Sequence, residues 1–235
     1  MKNIFWKILS ILFNKFYCKY IFVISYLYTY LADRRMFKFY DILSSGNALG
    51  ARSQPWRGYH ILRVLKKYRP KQIAEMGSGT STGVFASYAN HHNARLITYE
   101  QTREWHEMTT DALRKAGLES DKISIELIPS EESDKGSKFI TKIDKSSDFV
   151  YIDGPVTVKV NGQKMPCLDI IEFFDRGNYP DVIMVDGRYD TVKAIMAHPT
   201  SEKYDVTLEH GMACIDRNLG EFLRFQRHTV FVKRG

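Results

Sequence analysis

The stretch 72-QIAEMGSGTSTGVFASYA-89 runs from apolar residues into glycines at 77, 79 and 83, then back into apolar and small residues. Ile73, Ala74 and Met76 ahead of the glycines predict a strand, and the glycines leave the backbone bare where that strand ends. Further apolar runs at 95–99, 123–128, 148–152 and 181–185 alternate with helical patterns at about 56–68, 81–90, 103–116, 167–176 and 189–198. Alternation of this kind predicts a parallel sheet with helices on both faces. Two more strand candidates, 204–209 and 228–233, flank a short helical piece at 219–226.

At the first strand-to-helix turn of a doubly wound sheet, glycines let a ligand approach the backbone, and the helix amides favour negative groups. Glu75 sits at the end of the first strand and Glu100 at the end of the second. An acidic side chain in the second position suits the hydroxyls of a ribose, which points to a nucleoside cofactor. The spacing G-x-G-x-x-x-G departs from the usual dinucleotide fingerprint.

These residues resemble the class I S-adenosylmethionine-dependent methyltransferases over roughly residues 53 to 235. The stretch 73-IAEMGSGTSTG-83 is similar to their first motif, 98-TYEQ-101 to the acidic second motif, and 148-DFVYIDGP-155 to the fourth-strand motif. The resemblance implies a seven-stranded, mostly parallel α/β sheet in the order 3-2-1-4-5-7-6, its seventh strand antiparallel. It also implies S-adenosylmethionine held by the turn Gly77, Ser78 and Gly79, with Glu75 at its amino group and Glu100 at its ribose. Ser130 and Glu131 would lie near the adenine, and Asp153 would face both cofactor and substrate.

The pair 149-FVYIDG-154 and 182-VIMVDG-187 is most similar to the catechol-type O-methyltransferases. Those enzymes hold a divalent cation with an aspartate after the fourth strand and an Asp-Asn pair after the fifth. Asp153 and Asp186 match the aspartates and imply Mg2+ or a similar hard cation, whereas Gly187 stands where the asparagine would be. The expected reaction is methyl transfer to a hydroxyl, with an amine as second choice, of a small-molecule or glycan-type acceptor. Asp153, Asp186 and Arg188 are the candidate catalytic residues. Arg188 suits a carboxylate or phosphate on the acceptor, and Lys159 and Lys164 on an Asn161-Gly162 hairpin would add positive charge.

Two other classes fit parts of the sequence. Tyr189 and Lys193 carry the Tyr-x-x-x-Lys spacing of NAD(P)-dependent short-chain dehydrogenases, but the glycine spacing is reversed and the upstream serine is missing. A non-catalytic module that keeps the cofactor fold for binding is the third reading. No nucleophile elbow or P-loop is present.

Composition sets the remaining limits. The chain has 235 residues, 44% hydrophobic, enough for one substantial core. Cys18, Cys167 and Cys214 are odd in number and far apart, which points to a reducing, cytoplasmic compartment rather than a disulfide framework. Much of the formal charge of +7 falls in residues 1–38, where seven basic residues face the single acid Asp33. Charge confined to one aromatic-rich end argues against nucleic acid as a partner. Residues 1–50 read as a basic helical extension and 51–235 as the Rossmann-like domain. Phe5, Leu9, Leu12, Phe13 and Phe16 share one helical face above a lysine rim. Residues 1–31 would thus dock on an anionic membrane surface, peripherally at its inner face, or on a second subunit in a homo-oligomer.

Overall fold

A computed structural model describes residues 23–45, 55–140, 146–156, 159–210 and 227–235. Helix α1 covers residues 23–32, and α2 follows as Arg34–Ser45. The alternating part of the chain then runs α3 (Pro55–Tyr68), β1 (Gln72–Met76), α4 (Thr80–His92), β2 (Arg95–Glu100), α5 (Arg103–Ala116) and β3 (Ile123–Leu127). A hairpin of β4 (Ser130–Ser133) and β5 (Gly136–Phe139) precedes β6 (Phe149–Ile152), and β7 (Lys159–Val160) with β8 (Gln163–Lys164) forms a second. The last elements are α6 (Asp169–Asp175), β9 (Val182–Asp186), α7 (Tyr189–Ala197), β10 (Tyr204–His210) and β11 (Arg227–Lys233).

Seven strands form one sheet in the order β10-β11-β9-β6-β1-β2-β3, with β11 antiparallel to both neighbours and the other pairings parallel. This is the order that the resemblance implies. Side chains alternate across each strand, so the sheet supplies two cores. Ile73, Phe149, Tyr151, Met184 and Val230 pack with α2 to α5 on one face. Ala74, Met76, Val150, Ile183 and Phe231 pack with Ile170, Phe173 and Ile195 of α6 and α7 on the other.

The described part of the N-terminal extension is built into the first core. Met36, Phe39, Tyr40 and Leu43 of α2 are buried, and α2 lies against α4 and α5. Gly83 makes that approach possible, because a Cβ there would fall 2.3 Å from the Phe39 ring. Asp33 joins the two parts by accepting hydrogen bonds from Ser87 Oγ at 2.7 Å and from Arg35. The amphipathic pattern expected before residue 23 and the helix expected at 219–226 lie outside the described residues. Among the described residues no helix is long and apolar enough to cross a membrane.

Two hairpins flank the carboxyl edge of the sheet. Asn161 and Gly162 have φ of 51° and 81°, the conformation a two-residue turn of this type requires, and they form the expected hairpin. The β4–β5 hairpin was not expected; its turn is Asp134-Lys135, which lacks the Asn-Gly signal.

Candidate active site

At the carboxyl ends of β1, β2 and β6 a cleft of about 190 Å3 is lined by Gly77, Ser78, Glu100, Trp105, Asp153 and Arg188, among others. Its floor depends on two glycines that touch. A Cβ on Gly77 would lie 2.9 Å from the Gly154 backbone, and one on Gly154 would lie 2.6 Å from Gly77 N. Gly77 also has φ +88°, so both space and conformation require glycine there. The turn after β1 and the turn after β6 are thereby held backbone to backbone.

Glu100 closes the β2 side of the cleft. One carboxylate oxygen accepts from Ser78 N at 2.8 Å and Ser78 Oγ at 2.7 Å. The other accepts from Gln101 N, Thr102 N and Thr102 Oγ1 at 2.8–3.0 Å. Five donors fill the capacity of a carboxylate, so its orientation is fixed before any ligand arrives. Gln101 in turn accepts from Val156 N at 2.9 Å, tying the β2 and β6 loops together across the cleft.

Glu75 is placed differently. It is fully buried, does not line the cleft, and accepts from Ser81 Oγ at 2.5 Å and Thr98 Oγ1 at 2.8 Å. Burial pushes its carboxyl up to about 8, against the pull of those hydrogen bonds. Ser130 and Glu131 are also away from the cleft lining. They belong to the β4–β5 hairpin, where Ser130 pairs with Phe139 and Glu131 binds Lys138 at 2.8 Å. Phe139, on the partner strand, is the hairpin residue that reaches the cleft.

At the carboxyl ends of β6 and β9 the structure brings Asp153, Asp186 and Arg188 together and adds residues the sequence did not mark. Arg57, in the first turn of α3, pairs with Asp186 and approaches Asp153 at 3.6 Å. The Tyr151 hydroxyl donates to Asp186 at 3.1 Å, and His228 Nε2 lies 3.4 Å from the other Asp186 oxygen. Antiparallel pairing of β11 with β9 sets His228 opposite Asp186 in register. Burial holds the His228 imidazole well below its ordinary pKa, and the charge on Arg57 adds to the effect, so the ring is neutral. Burial, followed by the nearby Asp186 charge, raises the Asp153 carboxyl, while Arg57 and Arg188 oppose the shift. Arg188 donates to the Asp153 and Pro155 carbonyls and so braces the loop after β6.

The divalent cation expected at Asp153 and Asp186 does not fit this arrangement. Both carboxylates already face guanidinium groups, and Asp186 is fully buried with donors on it. Among the described residues no group of three His, Cys, Asp or Glu side chains converges as a metal site. Gly187, with φ +62°, adds a left-handed turn and no ligand.

A larger cavity, about 470 Å3, lies at the other end of the strands between Tyr68, Pro70, Asp148 and Lys233. In an open α/β sheet, ligands bind outside the carboxyl ends of the strands, so the smaller cleft is the candidate site.

No protein-family model and no curated protein matches the chain by sequence. Solved structures do match by shape. An SAH-bound methyltransferase from Podospora anserina superposes with TM-score 0.58 at 15% identity, covering 86% of this chain and 89% of that one. An O-methyltransferase from Bacillus cereus in complex with SAH gives 0.54 at 13%, covering 86% and 91%. The likeness is one of architecture: the chain has the fold of the class I S-adenosylmethionine-dependent methyltransferases.

Proposed function

We propose that the protein transfers a methyl group from S-adenosylmethionine to a hydroxyl, or secondarily an amine, of a small or glycan-type anionic acceptor. The observation that carries this reading is the cleft at the carboxyl edge, where Gly77, Ser78, Glu100 and Asp153 meet in one wall. The residues fit the cofactor. A bare turn at Gly77–Gly79 leaves room for the methionyl part, a Cβ on Gly79 meeting only Trp105 at 4.0 Å. Glu100 takes the ribose diol by exchanging the Ser78 hydroxyl for a ligand hydroxyl. Trp105 and Phe139 give the apolar wall that suits the adenine.

The bound cofactor supplies an already activated methyl, so the protein's work is to position the acceptor in line with it. Asp153, about a third exposed toward the cleft, would orient the acceptor hydroxyl and take its proton as the methyl passes from sulfur to oxygen, the broken C–S bond leaving S-adenosylhomocysteine as the neutral thioether. Arg188 and Lys164 line a small adjoining cavity of about 70 Å3 with Asp190, Tyr189 and Thr191, where two positive charges against one negative favour an anionic group on the acceptor. Calorimetric titration is the test. Micromolar binding of S-adenosylmethionine and S-adenosylhomocysteine is expected, weakened by about 1.5–3 kcal/mol in Glu100→Ala. Binding of NAD or NADP in their place would overturn the reading.

We also propose that residues 1–31 lie on an anionic membrane surface. Helix α1 supports this by turning Ser25 and Thr29 inward while Val23, Leu27 and Leu31 face out, Leu31 being 78% exposed. Arg34 and Lys38 are exposed beyond it. The full chain should sediment with phosphatidylserine vesicles, and Leu27→Glu with Leu31→Glu should release it while cofactor binding persists. A wild-type chain that stays in the supernatant would refute the docking.

A further inference from the structure

We propose that the Arg57 guanidinium is the resident cation of the acceptor site, standing between Asp153 and Asp186 so that neither a divalent ion nor water has to neutralise them. The proposal rests on the methyltransferase reading for its meaning, but the geometry comes from the chain itself. One terminal nitrogen of Arg57 lies on Asp186 Oδ2 and the other is 3.6 Å from Asp153 Oδ2, so a single planar group spans both carboxylates. Arg188 Nε lies 3.8 Å from the opposite oxygen of Asp153. Two acids and two guanidinium groups balance to zero, and a divalent ion added to that set would face two fixed positive charges at close range.

The surroundings hold Arg57 in place. Its side chain is only 14% exposed. The neighbouring Gly58 lets the first turn of α3 sit against α1 and α2, since a Cβ at that position would fall 2.8 Å from the Tyr40 hydroxyl. The third contact with Asp186, His228, is neutral and supplies no rival positive charge. Arg57 is therefore a positioning residue: it fixes Asp153 at the cleft through charge and keeps the buried Asp186 from standing alone.

The test uses Mn2+ as the probe, followed by electron paramagnetic resonance on the full chain without any methyl acceptor. Wild type should leave Mn2+ free up to millimolar metal. Arg57→Ala should take up Mn2+ with at least about a ten-fold gain in affinity, because two hard oxygen donors are then unopposed on one side. Adding Asp186→Asn to that variant should remove the gain. Wild-type uptake of Mn2+ that disappears in Asp186→Asn would overturn the proposal, as would a folded Arg57→Ala chain that binds no metal. Where Arg57→Ala fails to fold, the wild-type titration decides by itself. S-adenosylmethionine is titrated into the same samples. Failure of wild type to bind it would sink the methyltransferase reading and leave the Mn2+ result to judge Arg57 separately.

Discussion

Glu75 is fully buried under the turn after β1, and that makes it a reporter of the protein's interior. In the unfolded chain its carboxyl titrates near the ordinary 4.5, and in the folded protein near 8. Between those values the native state binds more protons, so this contribution to stability falls as pH rises, by up to about 1.4 kcal/mol per pH unit. Urea unfolding of Glu75→Gln should show a flatter pH dependence than wild type between pH 5 and 8. Equal slopes would mean that Glu75 ionises freely. Residues at or directly after a strand's end were legible in the sequence: Gly77, Glu100, Asp153 and Asp186 all stand at the carboxyl edge because strand ends in a parallel sheet converge there. Arg57 and His228 were not, since nothing in 55-PWRGYH-60 or 227-RHTVFV-232 marks a residue whose importance arises only from what faces it across the fold.

At the scale of elements, the glycine run divides into two jobs. Gly77 serves the cleft, whereas Gly83 serves the joint between α4 and α2. Gly83→Ala should destabilise the protein by about 1–3 kcal/mol through overpacking against Phe39, with cofactor affinity unchanged. Phe39→Leu in the same chain should recover part of the loss in thermal melts. A drop in affinity with stability intact would instead put Gly83 in the ligand cradle. Element positions were readable because periodicity changes sharply between strand and helix, as the limits of β1 and α5 show. The β4–β5 hairpin escaped because four polar residues, 130-SEES-133, carry no alternating pattern, their pairing being set by Phe139 and by Gly136 fitting under Pro166.

For the whole molecule, the proposed acceptor site is a meeting of distant pieces. Arg57 comes from the helix ahead of the first strand, Asp153 and Asp186 from the centre of the sheet, and His228 from the strand that closes it. The antiparallel insertion of β11 between β9 and β10 is what delivers His228, and it also completes the second core through Phe231. During synthesis, then, β1 to β9 can emerge and begin to pair while Asp186 still lacks its imidazole neighbour and β10 has no strand to join it to the sheet. Contacts spanning so much of the chain form late, since loop closure precedes any gain from them. A ribosome-bound chain stalled before β11 would hold the glycine turn and both aspartates yet lack the final wall around them, so the activity proposed above would begin only with the arrival of β11.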